Sequence, residues 1–100
     1  MISKILSRHD RVKYALAKEI KGCVEQKCKY GLIDILTNYE SIEVKKTSYW
    51  KQALGQALVY AEATNTLPRV HLYGKDRLSK DQENVIMRLG VRLSYDIKKD

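Results

Sequence analysis

The sequence predicts a small α/β domain on a mixed sheet, with elements in the order αβββαβαβ. Three observations predict it. Segments with apolar residues at helical spacing alternate with short β-branched or period-2 segments. The first three strand-like segments are joined by short turns, which makes them an antiparallel meander. The closing run of strand, helix, strand, helix, strand calls for right-handed crossovers and locally parallel strands. At 100 residues the chain reads as one domain spanning 1–100.

Residues 8–21 place Val12, Ala15, Leu16 and Ile20 at helical spacing, and Gly22 supplies the stop. Residues 23–28 read as a short strand and 29–31 as a turn. Residues 32–37 form an apolar, β-branched strand interrupted by one acid, Asp34. After a turn at 38–40, residues 41–45 alternate polar and apolar. The strongest helix covers 48–64, with Ser48 as N-cap and Trp50, Ala53, Leu54, Ala57, Leu58 and Ala61 along one side. Asn65-Thr66-Leu67-Pro68 breaks it, and residues 69–73 form a strand ending at Gly74. Ser79 and Gln82 form a capping box for a helix that runs through Leu89 and stops at Gly90. Residues 91–95 are the last strand, and 97–100 form a charged tail.

Nineteen basic residues against twelve acidic give +7, which suits a polyanionic partner, most simply nucleic acid. Hydrophobic residues make up 44%, enough for a core. The chain is too short for a dinucleotide fold or an eight-stranded barrel. The start, Met1 to Arg8, reads as no signal peptide, and no apolar run reaches membrane-spanning length, so a soluble, intracellular protein is expected. Cys23 and Cys28 on an extended segment point to opposite faces, which suits neither a disulfide nor a shared zinc.

The chemistry concentrates between Gly31 and Tyr60. A carboxylate in a buried strand costs several kcal/mol or more unless it is paired or bound to a metal, so Asp34 needs a reason. Glu43 and Lys45 are two apart and share one face of their strand, while Ile42 and Val44 face the other way. Pairing through the 38–40 turn brings Asp34 and Glu43 together. Two carboxylates and a lysine are a minimal kit for a hard cation such as Mg²⁺ and an oriented water. Glu19 lies on the edge of the first helix's apolar stripe, and Gln56 and Tyr60 share a stripe on the second helix. Taken singly, each residue is more often a paired or solvated one. Their order and spacing together are what single them out.

That order resembles the PD-(D/E)XK nuclease superfamily, with Glu19, Asp34, Glu43-Val44-Lys45 and Gln56-x-x-x-Tyr60 at the motif positions. The last motif resembles RecB-like and type I restriction nucleases, and residues 33–60 look like small nuclease-like proteins of phage and viral genomes. The resemblance implies a restriction-endonuclease-like αβββαβ core with an extra C-terminal helix and strand. It also implies a Mg²⁺-dependent DNA endonuclease, with Mn²⁺ as a substitute. Asp34, Glu43, the Val44 carbonyl and Glu19 would hold the metal, with Glu25 the alternative to Glu19. Lys45 would position or deprotonate the water, Gln56 would orient Lys45 or the DNA backbone, and Tyr60 would brace Gln56. Junctions, flaps and nicks are the expected targets, and a homodimer would place two sites on two strands, as in Holliday junction resolvases. Phosphate contacts are expected from Lys27, Lys29, Lys46, Lys51, Arg69, Lys75, Arg77 and Lys80 on double-stranded or branched DNA. The competing reading is a non-catalytic nucleic-acid-binding or assembly module on the same fold.

Overall fold

The computed structural model describes residues 6–99. Among them the elements run α1 (Arg8–Ile20), β1 (Cys23–Cys28), β2 (Gly31–Leu36), β3 (Glu40–Lys46), a 3-10 turn (Thr47–Tyr49), α2 (Trp50–Thr64), β4 (Leu67–Gly74), α3 (Lys80–Arg88) and β5 (Arg92–Ile97). The expected αβββαβαβ order is present. The expected tail at 97–100 shrinks, because Ile97 closes β5, and Asp100 lies outside the described residues.

The five strands form one mixed sheet in the order β1-β2-β3-β4-β5. β1, β2 and β3 are antiparallel neighbours, and β3, β4 and β5 run parallel. α/β is therefore the observed class. α1 covers one face of the sheet: Val12, Leu16 and Ala17 pack on Ile35, Ile42, Val44 and Tyr73. α2 and α3 build the other core, where Ala53, Leu54, Ala57 and Ile86 meet Val70, Leu72 and Val91. Covering both faces buries the central strands outright, as parallel βαβ units require.

The helix ends show which local signals hold. Ser79 caps α3 with Gln82 in the full reciprocal capping box. Ser7 caps α1 by accepting from the Asp10 N–H. Ser48 does not cap α2. It lies inside the 3-10 turn, and α2 begins with no side-chain cap. The reason is tertiary, since the neighbouring Thr47 Oγ1 donates to the Tyr73 carbonyl at 3.1 Å and sets the chain's path. At the end of α1 the left-handed residue is Lys21, with φ +58°, and not Gly22. Gly22 serves closeness instead: a Cβ there would sit 2.5 Å from Ile35 Cγ2.

Gly31 has both demands at once. Its φ is +147°, and an added Cβ would stand 2.5 Å from the Tyr60 hydroxyl oxygen. Gly31→Ala is expected to destabilise the fold by at least about 1–2 kcal/mol. Adding Tyr60→Phe removes the oxygen that the methyl meets, so the double variant should recover part of the loss. Urea midpoints check it, and strictly additive effects of the two substitutions would contradict the contact.

Candidate nucleic-acid interface and carboxylate pair

Ile35 pairs with Ile42 and Leu36 with Ser41, which places Asp34 opposite Glu43 as the strand register predicts. The β2–β3 ladder does not continue to them. On the other side of β2, the β1 ladder also skips the Glu25–Asp34 position, where Glu25 adopts φ +54°. Backbone groups near Asp34 therefore need other partners. The two carboxylates supply them reciprocally. Glu43 Oε2 accepts from the Asp34 N–H at 3.0 Å, and Asp34 Oδ2 accepts from the Val44 N–H at 2.8 Å. His9 Nε2 donates to the Val44 carbonyl at 2.9 Å and stands 3.7 Å from Asp34 Oδ2.

Glu43 is 2% exposed. Burial, reinforced by the neighbouring Asp34 charge, pushes its carboxyl up from 4.5 to about 8. Glu43 therefore keeps its proton at neutral pH. Lys13 is also buried, and burial alone would lower its ammonium, but its hydrogen bond to Glu25 at 2.8 Å and that carboxylate's charge raise it overall.

Among the described residues no group of three or more His, Cys, Asp and Glu side chains is placed to hold a metal ion. Glu19 is exposed on α1, and Glu25 pairs with Lys13. The Val44 carbonyl accepts from His9, and burial beside Asp34 raises the Glu43 carboxyl. Of the expected ligand set, the structure brings Asp34, Glu43 and Val44 together and leaves Glu19 out of the cluster. Lys45 is half-buried at the end of β3, Gln56 is half-buried on α2, and Tyr60 is buried beside Gly31.

The basic residues divide. Lys46, Lys75 and Arg77 line one open cleft of about 600 Å³ at the carboxyl ends of β3 and β4, together with Arg8, Trp50 and Tyr73. Four cations there face one acid, Asp76. Arg8 at the start of α1, the 3-10 turn leading into α2, and Leu78 and Gln82 around the start of α3 all line this cleft. An adjoining hollow, lined by His9, Lys45, Tyr49 and Gln52, shares Lys46 and Tyr73 with it. Lys51 and Lys80 are exposed at the starts of α2 and α3 but do not line this cleft. Lys27 and Lys29 lie at the β1 end, where Lys29 stands over the Tyr30 ring.

Arg69 differs from the others. It is 7% exposed, pairs with Glu40 at 3.3 Å and donates from Nε to Ser94 at 3.0 Å, so it is no surface cation for phosphate. Ser94 in turn contacts His71 Nδ1 at 2.7 Å. Burial, then the Arg69 charge, lowers the His71 imidazolium from 6.5 to about 4. Sequence reasoning passed over Arg8, Trp50 and Tyr73. The signal was available: ligands of α/β sheets gather beyond the carboxyl ends of the strands.

No family model matches the chain, and no solved structure matches it significantly. Two proteins of Acanthamoeba polyphaga mimivirus are similar to part of it. KilA-N domain-containing protein L32 is 40% identical over 55 residues, which are 55% of this chain and 15% of that protein. KilA-N domain-containing protein R878 is 42% identical over 50 residues, 50% of this chain and 14% of that protein. The chain thus spans about a seventh of the relatives it matches. Both are named for a KilA-N domain and neither for a nuclease. The expected PD-(D/E)XK membership is corrected accordingly, and with it the reading as a metal-dependent endonuclease. Among the described residues no helix is long and apolar enough to cross a membrane.

Glu43 and His71 together set a pH profile. Glu43 holds a proton in the fold that the unfolded chain loses above 4.5, so its stability contribution is full below 4.5 and is lost as pH rises to about 8. His71 refuses a proton that the unfolded chain takes below 6.5, so stability falls as pH drops from 6.5 to about 4. From these two groups stability is flat between 4.5 and 6.5, then falls toward pH 8, with a slope approaching about 1.4 kcal/mol per pH unit. Urea denaturation across pH should show Glu43→Gln level above pH 6.5, and an alkaline fall that survives in this variant would refute the assignment.

Proposed function

We propose that this chain is a DNA-binding module that grips the phosphate backbone without cutting it. The observation that carries the proposal is the cleft at the carboxyl ends of β3 and β4, where Arg8, Lys46, Lys75 and Arg77 converge against the single acid Asp76. Cations gathered in a concavity attract phosphate through charge. The net charge of +7 extends that attraction over the surface. The relatives are named for a KilA-N domain and share with this chain a segment that is about a seventh of their own length, which supports a reading other than a nuclease. The chain's acids favour it too. Asp34 and Glu43 are tied to backbone N–H groups, so their role is to hold β2 against β3.

The residues that would contact phosphate are Lys46, Lys75, Arg77 and Arg8, with Lys45 beside them. Arg8 also packs over the Tyr73 ring at 5.7 Å, which fixes its head group at the cleft wall. Such contacts give affinity and salt dependence rather than base reading.

Fluorescence anisotropy with labelled DNA tests this. Binding should weaken steeply with salt, and Lys46→Glu or Arg77→Glu should each lower affinity and reduce the log–log salt slope by about 1. Plasmid incubated with the wild-type chain and Mg²⁺ or Mn²⁺ should stay supercoiled. Unchanged binding in both variants would refute the cleft, and nicked plasmid would refute the non-cutting role.

A further inference from the structure

We infer that the cleft takes an unpaired DNA strand in preference to an intact duplex, an inference that rests on the DNA-binding reading above. The placement of charge is the first ground. A protein that reads duplex DNA in the major groove presents a protruding helix whose outer face carries the contacts. Here the helices' outer faces are nearly neutral. α1 exposes Arg11 and Lys18 with Glu19, and α2 exposes Lys51 with Glu62. α3 exposes Lys80 and Arg88 with Asp81, alongside Val85 and Met87. The concentrated positive charge lies in a hollow, where four cations face one acid. A duplex is a convex rod with its phosphates outside, and it meets a hollow only at the rim. A single strand can thread the hollow and lay successive phosphates along its wall.

The second ground is aromatic. Trp50 lines the cleft, and Tyr49, 51% exposed, lines the adjoining hollow that shares Lys46 with it. Stacked bases inside a duplex offer no face to such rings. Unpaired bases do, and aromatic platforms beside cations are the physical means by which single strands are held. The 3-10 turn Thr47–Tyr49 follows Lys46 and carries Tyr49 at its end, and the next residue, Trp50, opens α2 half-buried against the Ala53–Ile86 core with its remaining surface at the cleft.

Trp50 is the chain's single tryptophan, so its fluorescence reports on the cleft without a label. The experiment titrates the full chain with a short oligothymidylate and with a blunt duplex of the same length, in wild type and in Tyr49→Ala. The oligothymidylate should quench Trp50 and half-saturate at about tenfold lower concentration than the duplex. Tyr49→Ala, at an exposed position, should weaken the single strand about tenfold and leave the duplex unchanged. A duplex that binds as tightly as the single strand would overturn the inference while leaving the DNA-binding reading intact. Binding of neither would overturn the DNA-binding reading itself and the inference with it. Single-strand binding that neither quenches Trp50 nor responds to Tyr49→Ala would overturn the cleft as its site.

Discussion

The fork between β2 and β3 is the constraint around which this fold is arranged. β3 pairs with β4 along its whole length, from Glu40 to Lys46, but with β2 only at Ile42 and Ser41. Beyond that point the strands separate, and main-chain N–H groups on each side would face a nearly dry interior. An orphaned buried N–H costs about as much as a lost hydrogen bond. The crossed bonds of Glu43 to the Asp34 N–H and of Asp34 to the Val44 N–H bridge the gap.

The bridge has a price in ionisation. An ionised Glu43 at this depth, beside Asp34, would be strongly disfavoured, and the carboxyl responds by holding its proton to about 8. His9 reaches the same spot from the first turn of α1 and ties the Val44 carbonyl. The polar groups at the fork are thus matched within the chain. Past Lys46 the strand ends, and the surface changes from matched acids to a cation-lined hollow. Structural acids inside and basic groups at the strand ends are separated by little more than the last residues of β3.

Much of this was legible in the sequence where local rules govern. The eight elements follow from periodicity, and the Ser79–Gln82 box from a motif within one turn. The meeting of Asp34 and Glu43 followed from strand register around a short turn. What those acids do there was not legible, because it depends on His9 arriving from 35 residues away and on α2 closing over the Glu43 face. The same pattern of acids resembles a metal centre in sequence and forms a hydrogen-bonded bridge in space. Arg69 read as a surface cation because nothing local shows that Glu40 and Ser94 enclose it. Ser48 read as a cap because the contact of Thr47 with Tyr73 is tertiary.

The most direct measurement of the central claim is a carboxyl-carbon NMR titration of Glu43, followed with and without Mg²⁺. A carboxyl that bridges the fork should titrate near 8 and keep that midpoint when Mg²⁺ is added. A midpoint near the ordinary 4.5, or one that falls when Mg²⁺ is added, would show an open ligand instead and contradict the account.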